Sequence, residues 1–186
     1  AHLQAFEELQ DTFSKNDNAL IVLAPRNGKV FTPDTLAAVA DVTERAWLTP
    51  FSIRVDSLTN FQHTTASGDD LEVAPLVQDA QTLTDDDLSH IKTVALAEPA
   101  LISRLISPDA RTTAINITVE LPGIDEATEN PKVAAAVREL RDYVESTYPE
   151  LDVYLTGIVM MNQACQEAAI SETTQLIPAA LAILLL

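Results

Sequence analysis

Ser57, His63 and Asp69 are the residue types of a nucleophile, its base and an orienting acid, an arrangement suited to acyl transfer when the three side chains converge. Nothing around Ser57 resembles the glycine-flanked elbow that presents such a serine, and triplets of this kind arise by chance in most chains. His63 with Asp69, Asp70 and Glu72 has the donor types for a divalent metal. A polar loop carrying surface carboxylates accounts for the same residues. Asp85-Asp86-Asp87 lacks the glycine and closing glutamate of a calcium loop; acids directly behind Thr84 compensate the positive end of a helix instead. Gly28-Lys29 lacks the upstream glycine of a phosphate loop. Asn116-Ile117-Thr118 matches a glycosylation sequon but falls in an expected strand. The screen leaves no enzymatic motif, no metal site and no implied cofactor.

What remains is apolar recognition. Trp47, Phe51 and Phe61 could line a site for a hydrophobic molecule, and Met160 and Met161, near Gly157, are flexible apolar groups that could face a lipid-like substrate. Core packing is the competing reading for each, most of all for Trp47 at the end of a helical stripe. Charge narrows the partners: 11 Lys+Arg against 28 Asp+Glu leave −17 over 186 residues, which repels nucleic-acid phosphates and anionic lipid surfaces. Nucleic acid is therefore excluded as a partner. Cys165 is the single cysteine, so it forms no internal disulfide and fixes no redox compartment. Among alanines on a helix face it reads as a buried, inert thiol.

The elements that must position these residues follow from periodicity. Leu3, Phe6, Leu9 and Phe13 recur at helical spacing over residues 2–14, and Ala19 to Ala24 is a short apolar run suited to a covered strand. Thr32, Pro33 and Asp34 combine a capping hydroxyl, a first-turn proline and an acid, which starts a helix. Its stripe runs through Leu36, Val39, Ala40, Thr43 and Trp47 until Pro50. Phe51, Ile53 and Val55 then alternate with Ser52, Arg54 and Asp56 as a strand. Residues 57–84 are less regular, with a turn at Ser67 to Asp70 and a short strand at Leu71 to Val73. Thr84 with Asp87 forms a capping box for a helix carrying Leu88, Ile91 and Ala95.

Leu101 to Ile106 and Thr112 to Leu121 flank Ser107-Pro108-Asp109-Ala110 and read as a hairpin. Pro131 opens a helix with the stripe Val133, Ala134, Val137, Leu140, Val144 and Tyr148. Leu151, Val153 and Leu155 alternate as a strand before Gly157, and Met160 to Thr174 is helical. The expected fold is α+β: two βαβ units forming a ferredoxin-like sheet with helices on one face, plus inserted hairpin and helix elements in an excursion at 57–110.

The end of the chain differs in character. Leu176 to Leu186 is apolar and has no polar position from Leu181 onward. A bilayer-spanning helix takes roughly 17–25 mostly apolar residues, so the expectation is an exposed domain over 1–175 followed by the truncated start of a transmembrane helix at 176–186. A short apolar helix closing the core is the alternative. The first segment contains no apolar signal-peptide core, so export or membrane information is expected outside these residues.

Phe31-Thr32-Pro33 through Val55-Asp56-Ser57-Leu58-Thr59-Asn60, then Gly68-Asp69-Asp70-Leu71 and Leu155-Thr156-Gly157, resemble the first large extracytoplasmic loop of an RND-superfamily exporter. The closer resemblance is to its MMPL-like, hydrophobe/amphiphile efflux-3 branch. It covers nearly the whole chain and is strongest in Val55 to Asn60 with Gly68 to Leu71. It implies a polytopic protein of the cell inner membrane, with such a porter loop between the first and second transmembrane helices of each half. This fragment would stand on the periplasmic or extracellular side. The implied activity is proton-driven export of lipids or other hydrophobic molecules; the implied partners are the remainder of the same protein and a lipid-like substrate, with a homo-oligomer left open. The resemblance assigns no substrate contact to an individual residue. A regulatory or assembly domain without direct substrate contact is the alternative function.

Overall fold

Two strand-helix-strand units interleave in one sheet. The computed structural model describes residues 16–67 and 70–184; the expected helix over 2–14, and Gly68 and Asp69 of the expected turn, lie outside the described residues. In chain order the elements are β1 (Asn16–Pro25), α1 (Pro33–Ala46), β2 (Ser52–Asp56), β3 (Gln62–Ser67), β4 (Asp70–Pro75), a 3-10 turn (Ala80–Thr82), α2 (Asp85–Ala97), β5 (Thr113–Glu120), α3 (Glu126–Thr147), β6 (Leu151–Thr156) and α4 (Ile158–Leu184). The main sheet is open, with order β2-β5-β1-β6 and every neighbouring pair antiparallel. Sheets flanked by helices make this a mixed α/β fold.

Alternation sets which face is covered. Ala19, Ile21 and Leu23 of β1, Val55 of β2, Ile115, Ile117 and Val119 of β5 and Leu151 of β6 form one core with α1 and α3. Val39 and Val42 of α1 and Val133, Val137 and Val144 of α3 close it from the helices; the α3 residues are those of the expected stripe, whereas on α1 Val42 stands outside the expected one and Leu36 packs in a second cluster. Thr32 Oγ1 accepts the Thr35 N–H at 3.2 Å to start α1, but α1 stops at Ala46, short of Pro50. Trp47 is consequently 49 % exposed, contrary to the core reading. A register shift between Ser52 and Arg54 interrupts β2 and leaves Ile53 exposed, so only Val55 of the expected apolar row is buried. Asp41 ties the two helices together by accepting from Tyr143 and Tyr148 hydroxyls at 2.9 and 3.0 Å. Burial and this hydrogen bond raise the Tyr148 phenol well above its ordinary pKa.

The start of α3 corrects the sequence expectation: Pro131 lies inside the helix, which begins at Glu126. Glu129, 4 % exposed, folds back so that its carboxylate accepts the N–H groups of Gly123, Ile124 and Asp125 at 2.9, 3.0 and 2.9 Å. These bonds, led by that from Asp125, hold its pKa below the usual carboxylate range. Because the folded value is the lower one, the stabilisation is complete above the unfolded glutamate range and is lost as pH falls through the folded value. Glu129→Gln is expected to lower the thermal midpoint at pH 7 by at least roughly 4 °C and to flatten the acid limb of a stability-versus-pH curve. An unchanged acid limb would assign that limb to other groups.

The excursion builds a second apolar cluster from Val30, Leu36, Leu58, Val77, Ala80, Ile91, Ala95, Leu101 and Ile106. Thr84 and Asp87 form the expected capping box at α2. Residues 101–106, however, do not form a strand: only isolated bridges join Ile102 to Ile106 and Ile106 to Thr113, so the expected hairpin is a compact turn packed on the sheet. β3 and β4 pair only with each other, leaving Leu71 and Val73 75 % and 60 % exposed.

α4 starts against β1, where the Ile158 N–H donates to Asn18 Oδ1 at 3.3 Å. Val159 and Gln163 are buried, and Arg138 grips Glu167 through two bonds of 2.7 and 3.0 Å. Arg138 and Gln163 together pull the Glu167 carboxyl down to about 2. From Ala164 to Thr174 every residue is exposed, including Cys165, which is therefore not the buried thiol expected. Among the described residues no helix is long and apolar enough to cross a membrane.

Candidate functional site

β2 runs into a loop whose polar groups satisfy one another. Asn60 Oδ1 accepts from the Ser57 N–H at 2.8 Å and the Ser57 hydroxyl at 3.2 Å, while Asn60 Nδ2 donates to the Val55 carbonyl at 2.8 Å. Ser57 Oγ is also 2.9 Å from Thr59 Oγ1, and both residues are buried. Ser57 is thus a loop organiser rather than a presented nucleophile. His63 is half-buried in β3, and Asp69 lies outside the described residues. Among the described residues no group of three or more His, Cys, Asp and Glu side chains could hold a metal ion. The loop joins the two cores, since Val55 belongs to the sheet core and Leu58 to the second cluster.

The sheet face opposite α1 and α3 is lined by residues that strand register brings into rows. Arg54, Thr118 and Asn18 form one row across β2, β5 and β1; Asp56, Asn116, Leu20 and Thr156 form the next, ending on β6. Asn18 Nδ2 donates to Asn116 Oδ1 at 2.8 Å, and Asn116 Nδ2 donates to Thr118 Oγ1 at 3.2 Å. Arg54 Nε donates to Asp56 Oδ1 at 2.8 Å.

Between these rows, the 57–61 loop and residues 100–105 lies a cleft of about 510 Å³, within the roughly 300–1,000 Å³ usual for small-molecule sites. Leu20, Phe61 and Leu105 supply its apolar lining, and Arg54, Asp56 and Arg104 its charges. A hollow of about 370 Å³ shares Leu20, Arg104 and Leu105 with it and extends over Val22 and Ala114.

Of the apolar residues singled out from sequence, Phe61 lines the cleft and packs on the second cluster. Phe51 and Met160 are half-buried against the sheet core, whereas Trp47 and Met161 are exposed at the end of α1 and on α4. These four do not line the cleft. Asn18, Asn116, Arg54 and Arg104 were missed as site residues. Asn116 carried a signal, being an amide on a strand otherwise rich in β-branched and small residues, where the sequon match offered a competing account.

The residues that build the sheet, the second cluster and the cleft lie within one family match, to the MMPL family over residues 2–186. The chain belongs to the MMPL family. No curated protein matches it.

Proposed function

We propose that this chain is the first large extracytoplasmic loop of a proton-driven RND-type exporter of lipids or other hydrophobic molecules, seated in the inner membrane. MMPL-family membership over residues 2–186 carries the reading. The order β2-β5-β1-β6, with a helix crossing over in each βαβ unit, supports assignment to the ferredoxin-like porter type. In this reading residues 1–175 are the porter domain, and α4, exposed from Ala164 to Thr174, continues through Leu176 as the start of a transmembrane helix. Proton coupling belongs to acids inside the bilayer, where ionisable groups are costly and functional. Substrate handling belongs outside it, in a cleft between two cores. Phe61 faces the substrate there, with Trp47, Phe51, Met160 and Met161 as further apolar contacts along its path and the rest of the polytopic protein as the domain's partner.

The exposed Leu71 and Val73 of the β3–β4 hairpin favour a second reading, a regulatory or assembly domain that contacts protein and not substrate. A photocrosslinking residue at position 61 of the full-length transporter separates the two. In proteoliposomes it should yield lipid adducts whose amount rises under a proton gradient. Adducts to protein alone, unchanged by the gradient, would give the function to assembly.

A further inference from the structure

We infer that the cleft on the open sheet face binds a single-chain amphiphile through a carboxylate or phosphate headgroup held between Arg54 and Arg104. This rests on the exporter reading and names its substrate class. The protein as a whole carries 28 acids against 11 bases, yet the charged groups lining the cleft are Arg54, Asp56 and Arg104. The adjoining hollow adds no acid to that set. The local balance is therefore inverted relative to the rest of the chain. Asp56 takes only the Nε of Arg54, which fixes the guanidinium and leaves its terminal N–H groups as donors. Arg104 is exposed and, among the described residues, makes no side-chain hydrogen bond or ion pair. A planar guanidinium matches a carboxylate or phosphate with paired hydrogen bonds.

The apolar side of the site selects for more than a bare anion. Leu20, Phe61 and Leu105 lie beside the arginines, and Val22 and Ala114 continue the apolar surface into the second hollow. The Asn18–Asn116 amide pair lines the cleft without adding charge. The acidic exterior, for its part, holds anionic bilayers off by repulsion, so entry is by single molecules.

Binding is read on the 186-residue chain by NMR of the Asn18 and Asn116 side-chain amides, which report on the cleft and not on the apolar chain end. Dodecyl phosphate below its micelle concentration, dodecanol, dodecyltrimethylammonium and inorganic phosphate are titrated separately. Dodecyl phosphate is expected to shift both amides and to bind at least about tenfold more tightly than dodecanol or inorganic phosphate, with Arg104→Gln removing at least about tenfold. Dodecyltrimethylammonium should leave the amides unshifted. Equal binding of dodecanol and dodecyl phosphate, indifferent to Arg104→Gln, would overturn the headgroup assignment while leaving an exporter of neutral molecules. Inorganic phosphate binding as tightly as dodecyl phosphate would make this an anion site and overturn the amphiphile. No shift with any amphiphile would remove the cleft from the substrate path and overturn this inference, while the exporter reading stands or falls separately on the crosslinking at position 61.

Discussion

Gly157→Ala is expected to destabilise the fold by at least about 3 kcal/mol, through strained backbone and steric overlap together. Gly157 has φ of +103°, a conformation that L side chains rarely adopt. A Cβ built there would sit 2.6 Å from the Asn18 carbonyl oxygen and 3.0 Å from Ala19 Cα. Both atoms belong to β1, which is bonded on both sides, to β5 and to β6, and so cannot retreat. Relief would have to come from α4 moving away, breaking the Ile158 to Asn18 hydrogen bond and unpacking Val159. Gly123→Ala is the natural comparison, with φ of +69° but nothing within 4 Å of the added carbon; it should cost only about 1–2 kcal/mol of backbone strain. Urea denaturation of both variants measures the difference, expected as a shift in midpoint at constant slope. Equal midpoints would mean that α4 does not sit against β1 as described.

Asn60→Ala should cost about 2–4 kcal/mol, because the Ser57 N–H and the Val55 carbonyl lose their partners in a buried loop. Alanine supplies neither donor nor acceptor, and the 57–61 segment is closed on itself, so no neighbouring group replaces the amide. Asn60→Asp keeps the acceptor but removes the donor to Val55 and should recover only part of the loss. Ser57→Ala leaves the Ser57 N–H to Asn60 bond intact and is expected to cost only about 1 kcal/mol. Chemical denaturation orders the three variants. The opposite order, with Ser57→Ala the most damaging, would place the organising role on the hydroxyl. Because Phe61 follows directly, Asn60→Ala should also lower crosslinking from position 61.

Local chemistry was legible from the residues alone where it acts within a turn or two. Thr32 and Thr84 start helices because each hydroxyl reaches an N–H three residues on, a contact the residue types announce. The stripe from Val133 to Val144 and the alternation from Thr113 to Val119 record a single burial direction each. Pro131 misled because a first-turn proline is the commoner arrangement, whereas here the cap is Glu129 reaching backward to three amides. The strand expected at 101–106 failed because its apolar residues, Leu101 and Ile106, fill the second cluster without pairing along an edge.

The cleft was illegible for a different reason. Asn18 and Asn116 bond across 98 residues of chain, and Arg54 joins the row of Asn18 only through a register altered by the irregularity in β2. No periodicity in a single segment encodes that neighbourhood. Phe61 could be singled out because an aromatic ring in a polar stretch stands out by type.

Among the residues whose burial is described, α4 is a strut attached to the domain over its first third only. Its 27 residues span about 40 Å at 1.5 Å per residue, and the paired hydrogen bonds from Arg138 to Glu167 hold it about a third of the way along. Its near end is attached to Asn18, the amide that pairs with Asn116 in the cleft wall. The route from the far end of α4 to the cleft wall is thus one helix and two hydrogen bonds long, Ile158 to Asn18 and Asn18 to Asn116.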